Sequence, residues 1–345
     1  MSRVSTHNEW DPLEEILVGS AIGARSPLLN TDLHAIRYRG YKDINDIPTG
    51  EILPEIIEET EEDLDELVST LENLGIIVHR PELIDLSKKF STVDWVSDGM
   101  YNYCPRDIIL SIGDTLIETP MSFRSRFFEP FAYKNLCVEY LRNGSRWISA
   151  PKPRLLDAMF NTVDPQKSAL NELEPVFDAA NVLKLGKDII YLVSDTGNEL
   201  GYQWLKTTLG SEYRVHACRD MYTSSHIDTT IVPLRPGLVL VNPTRVTQKN
   251  IPEFFRKWEV LEAPEPVDIG FKGMSRGSAW MSINLLMVNP NLAIIEKSQE
   301  PLIKLLEKKG INVIPLQLRH ARTLGGGFHC VTLDIRRRGN IEDYS

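Results

Sequence analysis

A module of strand, turn, strand, helix and strand recurs five times along this chain of 345 residues, and that repetition constrains the fold more than any other feature. The first copy spans residues 107–112, a Gly113-Asp114 turn, 115–118, a helix over 131–143 closed by Gly144, and a strand over 146–148. The second runs through 176–184, a Gly186-Lys187 turn, 188–193, a helix over 198–209 before Gly210, and 213–216. The third uses 226–233, 238–241, a short helix over 252–257 and 259–261. The fourth uses 281–288, 292–295, a helix over 300–309 before Gly310, and 311–314. Glycine just past a helix is a stop signal, and Gly-Asp, Gly-Lys and Asn289-Pro290-Asn291 suit hairpin turns. The fifth copy is split. Its first strand, 330–336, lies near the C-terminus, and its partner strand 13–18, helix 55–74 and strand 76–79 lie near the N-terminus. Pairing of the two ends closes a ring and leaves no sheet edge there. The predicted fold is therefore α/β, a five-bladed propeller of ββαβ units about a pseudo-fivefold axis, in a single domain over residues 1–345.

In such a ring, equivalent positions of each module converge on the central channel, however far apart they lie in sequence. Asp107, Asp178, His226, Ser278 and Cys330 each begin, or nearly begin, the first strand of a copy. A thiol, a histidine and two carboxylates at equivalent positions suggest nucleophilic chemistry on a cation. Cys330 follows Gly325-Gly326-Gly327-Phe328-His329, where glycine lets the backbone turn sharply and approach a ligand. Its thiolate is the predicted nucleophile, and His226 the general acid and base. Asp107 and Asp178 can hold a planar guanidinium by charged hydrogen bonds. Asp228 and Arg245 complement an α-amino group and an α-carboxylate, and Ser278 completes the candidate set. His329 is expected to point away from the pocket, as the strand neighbour of Cys330, and to serve as packing or support. Cys104, Cys137 and Cys218 are expected to be packing residues.

Composition narrows the rest. A formal charge of −10, from 38 basic and 48 acidic residues, argues against a nucleic-acid surface. No apolar run is long enough to span a membrane, and the first residues hold no apolar signal core, so a cytoplasmic protein is expected. Four widely spaced cysteines without a C-x-x-C motif indicate free thiols and no zinc knuckle. No P-loop, dinucleotide fingerprint or metal motif is present, so no cofactor and no metal are expected. Loose structure is expected only at the first few residues and over 339–345.

The blocks Cys104-Pro105-Arg106-Asp107, Phe177-Asp178-Ala179-Ala180, His226-Ile227-Asp228, Asn242-Pro243-Thr244-Arg245 and the glycine run into Cys330 closely resemble the amidinotransferases of the guanidino-modifying, pentein-fold superfamily. The resemblance extends from Asn8 to Gly339. It implies transfer of an amidino group from L-arginine to an acceptor amine, with release of L-ornithine through an amidino-cysteine. By resemblance Cys330, His226 and Asp178 are catalytic, and Asp107, Asp228, Arg245 and Ser278 bind the donor. Residues 8–12, 193–199 and 232–237 look most like the inosamine-phosphate branch of the family. Asn181, where the glycine-specific branch carries an aspartate, puts glycine in doubt as acceptor. Arg124, Arg126 and Lys152 are the candidates to meet a phosphate. A glycine or lysine acceptor, an arginine deiminase-like hydrolase and a guanidine-binding protein are the competing readings, and the resemblance is compatible with a homodimer.

Overall fold

The computed structural model describes residues 3–41 and 43–345. Five three-stranded sheets carry the architecture, and all share one topology: an antiparallel pair whose second strand takes a parallel third strand. In chain order they are Ile109–Ile112 with Thr115–Glu118 and Arg146–Ser149; Val182–Leu185 with Asp188–Leu192 and Arg214–Cys218; Ile231–Arg235 with Leu238–Val241 and Glu259–Glu262; and Leu286–Asn289 with Leu292–Glu296 and Asn312–Leu316. The last joins the chain ends. Leu13–Val18 pairs antiparallel with Thr332–Arg337 and parallel with Ile77–His79.

The first two strands of most sheets are buried along nearly their whole length, Leu238–Val241 as an apolar run and Thr115–Glu118 with polar ends, because both faces are covered. Third strands are more exposed: in Arg214–Cys218, Val215 and Cys218 are buried while Arg214 and His216 are exposed. A parallel third strand needs a crossover. The α-helices Pro54–Asn73, Lys134–Arg142, Glu199–Leu209 and Glu300–Lys308 supply four of them, and the short 3₁₀ helix Glu253–Lys257 the remaining one. Asn198 caps its helix by accepting the Gly201 N–H at 2.9 Å, and Gly144 and Gly310 leave theirs with positive φ.

First strands of different sheets meet through buried polar side chains. Lys184 donates to Asp334 at 2.8 Å and to Ser111 at 3.4 Å, and Ser111 donates to the Asp334 carbonyl at 2.7 Å. Arg106 reaches Asp334 at 2.6 Å, and Arg337 reaches it at 3.1 Å.

Two expectations need correction. The tail is not loose: Asp343 bridges to Gly186, and the Tyr344 ring packs edge-on against Trp10 at 5.1 Å. At the other end Val4 is already buried, and Met1 and Ser2 lie outside the described residues. The first strands also start later than expected, at Val182 and Leu286 rather than 176 and 281, because short 3₁₀ turns precede them.

Candidate active site

Those turns carry the chemistry. Asp107 ends the turn Pro105–Asp107, Asp178 caps Ala179–Asn181, and Ser278 caps Ala279–Ile283. His226 and Asp228 precede the strand Ile231–Arg235, and Cys330 lies in a turn ahead of Thr332. None of these residues is in a strand, so strand alternation does not govern which way they face. They converge on one cleft of about 170 Å³ whose wall includes Asp107, His226, Asp228, Ser278 and Cys330.

Cys330 is only 2% exposed. Its thiol donates to Asp228 Oδ2 at 3.2 Å and accepts from Asn284 Nδ2 at 3.2 Å. Asn284 Oδ1 also accepts the backbone N–H groups of His329 and Cys330, each at 3.0 Å, and so fixes the turn that presents the sulfur. The glycine run serves this packing, and Gly325 also lines the cleft. A Cβ on Gly327 would meet Asn284 Oδ1 at 2.8 Å, and one on Gly326 would meet Cys104 Sγ at 2.5 Å. The thiol pKa is pushed well above its ordinary value, first by the contact with Cys104, then by burial and by the Asp228 carboxylate; His226 pulls the other way. These groups favour the thiol over the thiolate, and a cation beside Asp228 would favour the thiolate.

Burial works against a charge on His226, but Asp107 and Asp178 overrule it and hold the imidazole well above its usual range. Nε2 donates to Asp178 Oδ2 at 3.0 Å, and Nδ1 faces Asp107 Oδ1 at 3.5 Å. A ring facing a carboxylate at each nitrogen is an imidazolium, set to give up a proton. Asp178 is fully buried behind the histidine, with its other oxygen taken by Ser122 N and Oγ at 3.1 and 3.0 Å. The expectation that it faces a guanidinium beside Asp107 is thus replaced by a position that orients His226. Asp107 does face the cleft: Arg126 holds its Oδ2 at 2.6 Å, and its Oδ1 has no hydrogen-bond partner.

Asp228 is held below the usual carboxylate range; burial opposes this, but bonding to His329 outweighs it. His329 Nδ1 lies 2.9 Å from Asp228 Oδ2, and Nε2 lies 3.3 Å from Glu9 Oε2. The supporting role foreseen for His329 has a different cause from the one expected, since neighbours in a turn, unlike neighbours in a strand, can approach the same carboxylate. Arg245 stacks on the Tyr222 ring at 3.6 Å and reaches Ser278 Oγ at 3.4 Å. Among the described residues no group of three or more His, Cys, Asp or Glu side chains is arranged to hold a metal ion.

This construction has counterparts in known proteins. Inosamine-phosphate amidinotransferase 1 of Streptomyces glaucescens is 54% identical over 346 residues, covering 100% of this chain and 99% of that one. The chain belongs to the amidinotransferase family. The L-arginine:L-lysine amidinotransferase of Pseudomonas savastanoi pv. phaseolicola is 38% identical, covering 99% of this chain and 97% of that one. The solved inosamine-phosphate amidinotransferase of Streptomyces griseus matches the fold with a TM-score of 0.98 at 54% identity, covering 100% of this chain and 99% of that one. No protein-family model matches.

Several residues of this amidinotransferase escaped the sequence reading. Asn284 stands two positions before the strand Leu286–Asn289, just as Cys330 stands before Thr332 and Asp107 before Ile109. Asn284 thus shares the spacing of Asp107 and Cys330, and that spacing was the available signal, while Ser278 also lines the cleft. Cys104, expected only to pack, is a free thiol beside the free thiol of Cys330 and raises the pKa of Cys330. The phosphate candidates are displaced. Arg126 is buried between Asp107 and Glu129, Arg124 is committed to Leu155 O and Asp157, and Lys152 donates to Phe127 O at 3.0 Å. Arg37 and Arg276 line the cleft instead. Asn181 is buried, its amide donating to Leu192 O and Ser194 Oγ, each at 2.8 Å, while its oxygen accepts from Thr196 of the cleft wall at 2.9 Å.

Proposed function

We propose that the protein transfers the amidino group of L-arginine to the amine of an inosamine phosphate and releases L-ornithine, through an amidino-cysteine on Cys330. The observation that carries this reading is the thiol of Cys330 set between Asp228, Asn284 and a charged His226, in a chain 54% identical to an inosamine-phosphate amidinotransferase. Arg245 and Ser278 receive the donor α-carboxylate, and Asp107 and Asp228 the guanidinium, whose charge permits the thiolate to form as the thiol proton leaves to solvent through the cleft. Sγ attacks the guanidinium carbon. The bond from that carbon to the δ-nitrogen breaks, and His226 gives that nitrogen its proton. The acceptor amine then attacks the amidino carbon, the C–S bond breaks, and His226 takes the amine proton. A covalent intermediate released in two halves gives ping-pong kinetics. Water must be kept out between the halves, or the same site becomes a hydrolase.

The five sheets are read as blades of a propeller in one domain, a reading supported by the shared topology and by the meeting of Ser111, Lys184 and Asp334 from three first strands. A cytoplasmic enzyme without cofactor is expected, and the resemblance is compatible with a homodimer in a natural-product pathway such as antibiotic biosynthesis.

The test incubates the protein with L-arginine and, separately, an inosamine phosphate, glycine and lysine, with products read by mass spectrometry. Ornithine with an amidinated inosamine phosphate is expected. Citrulline formed without any amine would sink transfer in favour of hydrolysis, and product from glycine or lysine alone would replace the acceptor. Cys330→Ala should lower kcat by at least about 10⁴-fold and abolish the amidino adduct on the intact protein.

A further inference from the structure

The cleft is lined by charges of both signs. Its wall holds Asp107, Asp228 and His226, and also two arginines, Arg37 and Arg276, with no part in the mechanism above. Both are partly buried. Among the described residues neither forms an ion pair with a carboxylate, whereas Arg106, Arg124 and Arg126 all do. Arg37 donates to Met100 Sδ at 3.7 Å, meets the Tyr101 side chain and lies over the Phe123 ring at 5.2 Å, all of them uncharged partners. Arg276 donates to Ser26 Oγ and, at 3.5 Å, to Thr323 O. Its backbone is pinned to the catalytic loop: the Arg276 and Gly277 N–H groups bond Arg322 O at 2.8 and 3.0 Å, and Gly325 packs against it so closely that a Cβ there would meet Arg276 O at 3.1 Å. Half-buried guanidinium groups without a counter-ion are costly, and a substrate anion relieves that cost. One carboxylate is already matched by Arg245. A phosphate monoester, carrying up to two charges and three acceptor oxygens, is the group that engages two further guanidinium groups in bidentate fashion.

We propose that Arg37 and Arg276 form the subsite that grips the phosphate of the acceptor, and so select phosphorylated amines. This rests on the amidino-transfer reading. The two half-reactions separate the claims. L-Arginine alone should give one equivalent of ornithine and the Cys330 adduct. That adduct is then chased with an inosamine phosphate, or with the same inosamine after phosphatase treatment. In Arg37→Gln and Arg276→Gln, kcat/KM for the phosphorylated acceptor falls by about 10- to 100-fold, in line with loss of a charged hydrogen bond. The value for the dephosphorylated acceptor and the ornithine burst stay within about twofold, while Arg276→Lys recovers part of the loss. Inorganic phosphate should compete with the acceptor in the unaltered enzyme and leave the burst untouched, a measurement that needs no variant to fold. Equal losses on both acceptors, or no competition by phosphate, would overturn the clamp. Absence of the ornithine burst in the unaltered enzyme would instead overturn the amidino-transfer reading beneath it.

Discussion

Asn284 does two jobs with one amide, and they can be separated. Its Oδ1 holds the N–H groups of His329 and Cys330, while its Nδ2 donates to the sulfur. Asn284→Ala leaves the buried Cys330 N–H unpaired, at about 1–3 kcal/mol, and leaves the His329 N–H only the Asn284 carbonyl at 3.3 Å, so it should lower both the melting temperature and kcat. Asn284→Asp keeps the acceptor but sets a second anion beside Cys330. It should recover the melting temperature and not kcat; recovery of both would show that the amide acts only as a scaffold. The resting thiol makes a further prediction. Because Cys104, burial and Asp228 together raise its pKa, iodoacetamide should label Cys330 slowly near pH 7, and labelling should climb only above the free-thiol range of about 8.5. Fast, flat labelling below pH 7, read by peptide mass spectrometry, would mean a resting thiolate–imidazolium pair instead. Cys330, His226, Asp107 and Asp228 were legible because reactive side chains stood beside strand and turn signals. Asn284 and Arg276 were not, since an amide or an arginine takes its role from what faces it.

Elements were legible where hydrophobic period and glycine stops agreed. The strands Leu13–Val18 and Leu238–Val241 fall where the pattern puts them, and the helix Glu199–Leu209 follows its Asn198 cap. The errors lie at the 3₁₀ turns before the first strands, where apolar residues continue the strand pattern although the backbone turns. The C-terminal segment was misread because its anchors are remote. Tyr344 packs on Trp10, Asp343 pairs with Arg214 at 2.6 Å, and Glu342 O accepts from Lys187 N at 2.8 Å. Deleting residues 343–345 should cost about 1 kcal/mol in urea denaturation, chiefly the aromatic pair, and leave turnover intact because the tail is remote from the cleft. An undiminished urea midpoint would mean that the tail merely rests on the surface.

For the whole molecule, the polar cluster around Asp334 ties first strands of separate sheets together. Burial alone would raise the Asp334 pKa, but Lys184, Arg106 and Arg337 hold it well below the usual range. An acid depressed in this way contributes its full stability above the unfolded value of about 3.9, and loses it as pH falls through the folded value. Lys184→Met removes one partner of a buried cluster and should destabilise the fold by about 3–5 kcal/mol. It should also move the acid-unfolding transition, followed by circular dichroism, to higher pH, because Asp334 then protonates sooner. An unmoved transition would show that Arg106 and Arg337 suffice.

The sequence by itself determined the repeat, the pairing of the chain ends and the family, and it singled out Cys330 as the candidate nucleophile, because each is written in local periodicity or in a contiguous motif. Only the tertiary structure decided the division of labour: Asp178 behind His226 rather than on substrate, Asn284 on the sulfur, Arg126 spent on Asp107, and Arg37 and Arg276 left open to the cleft. The physical reason is that a charged or polar side chain acquires its function from its nearest counter-group, and those groups lie tens to hundreds of residues away along the chain, brought within hydrogen-bond reach only when the modules assemble.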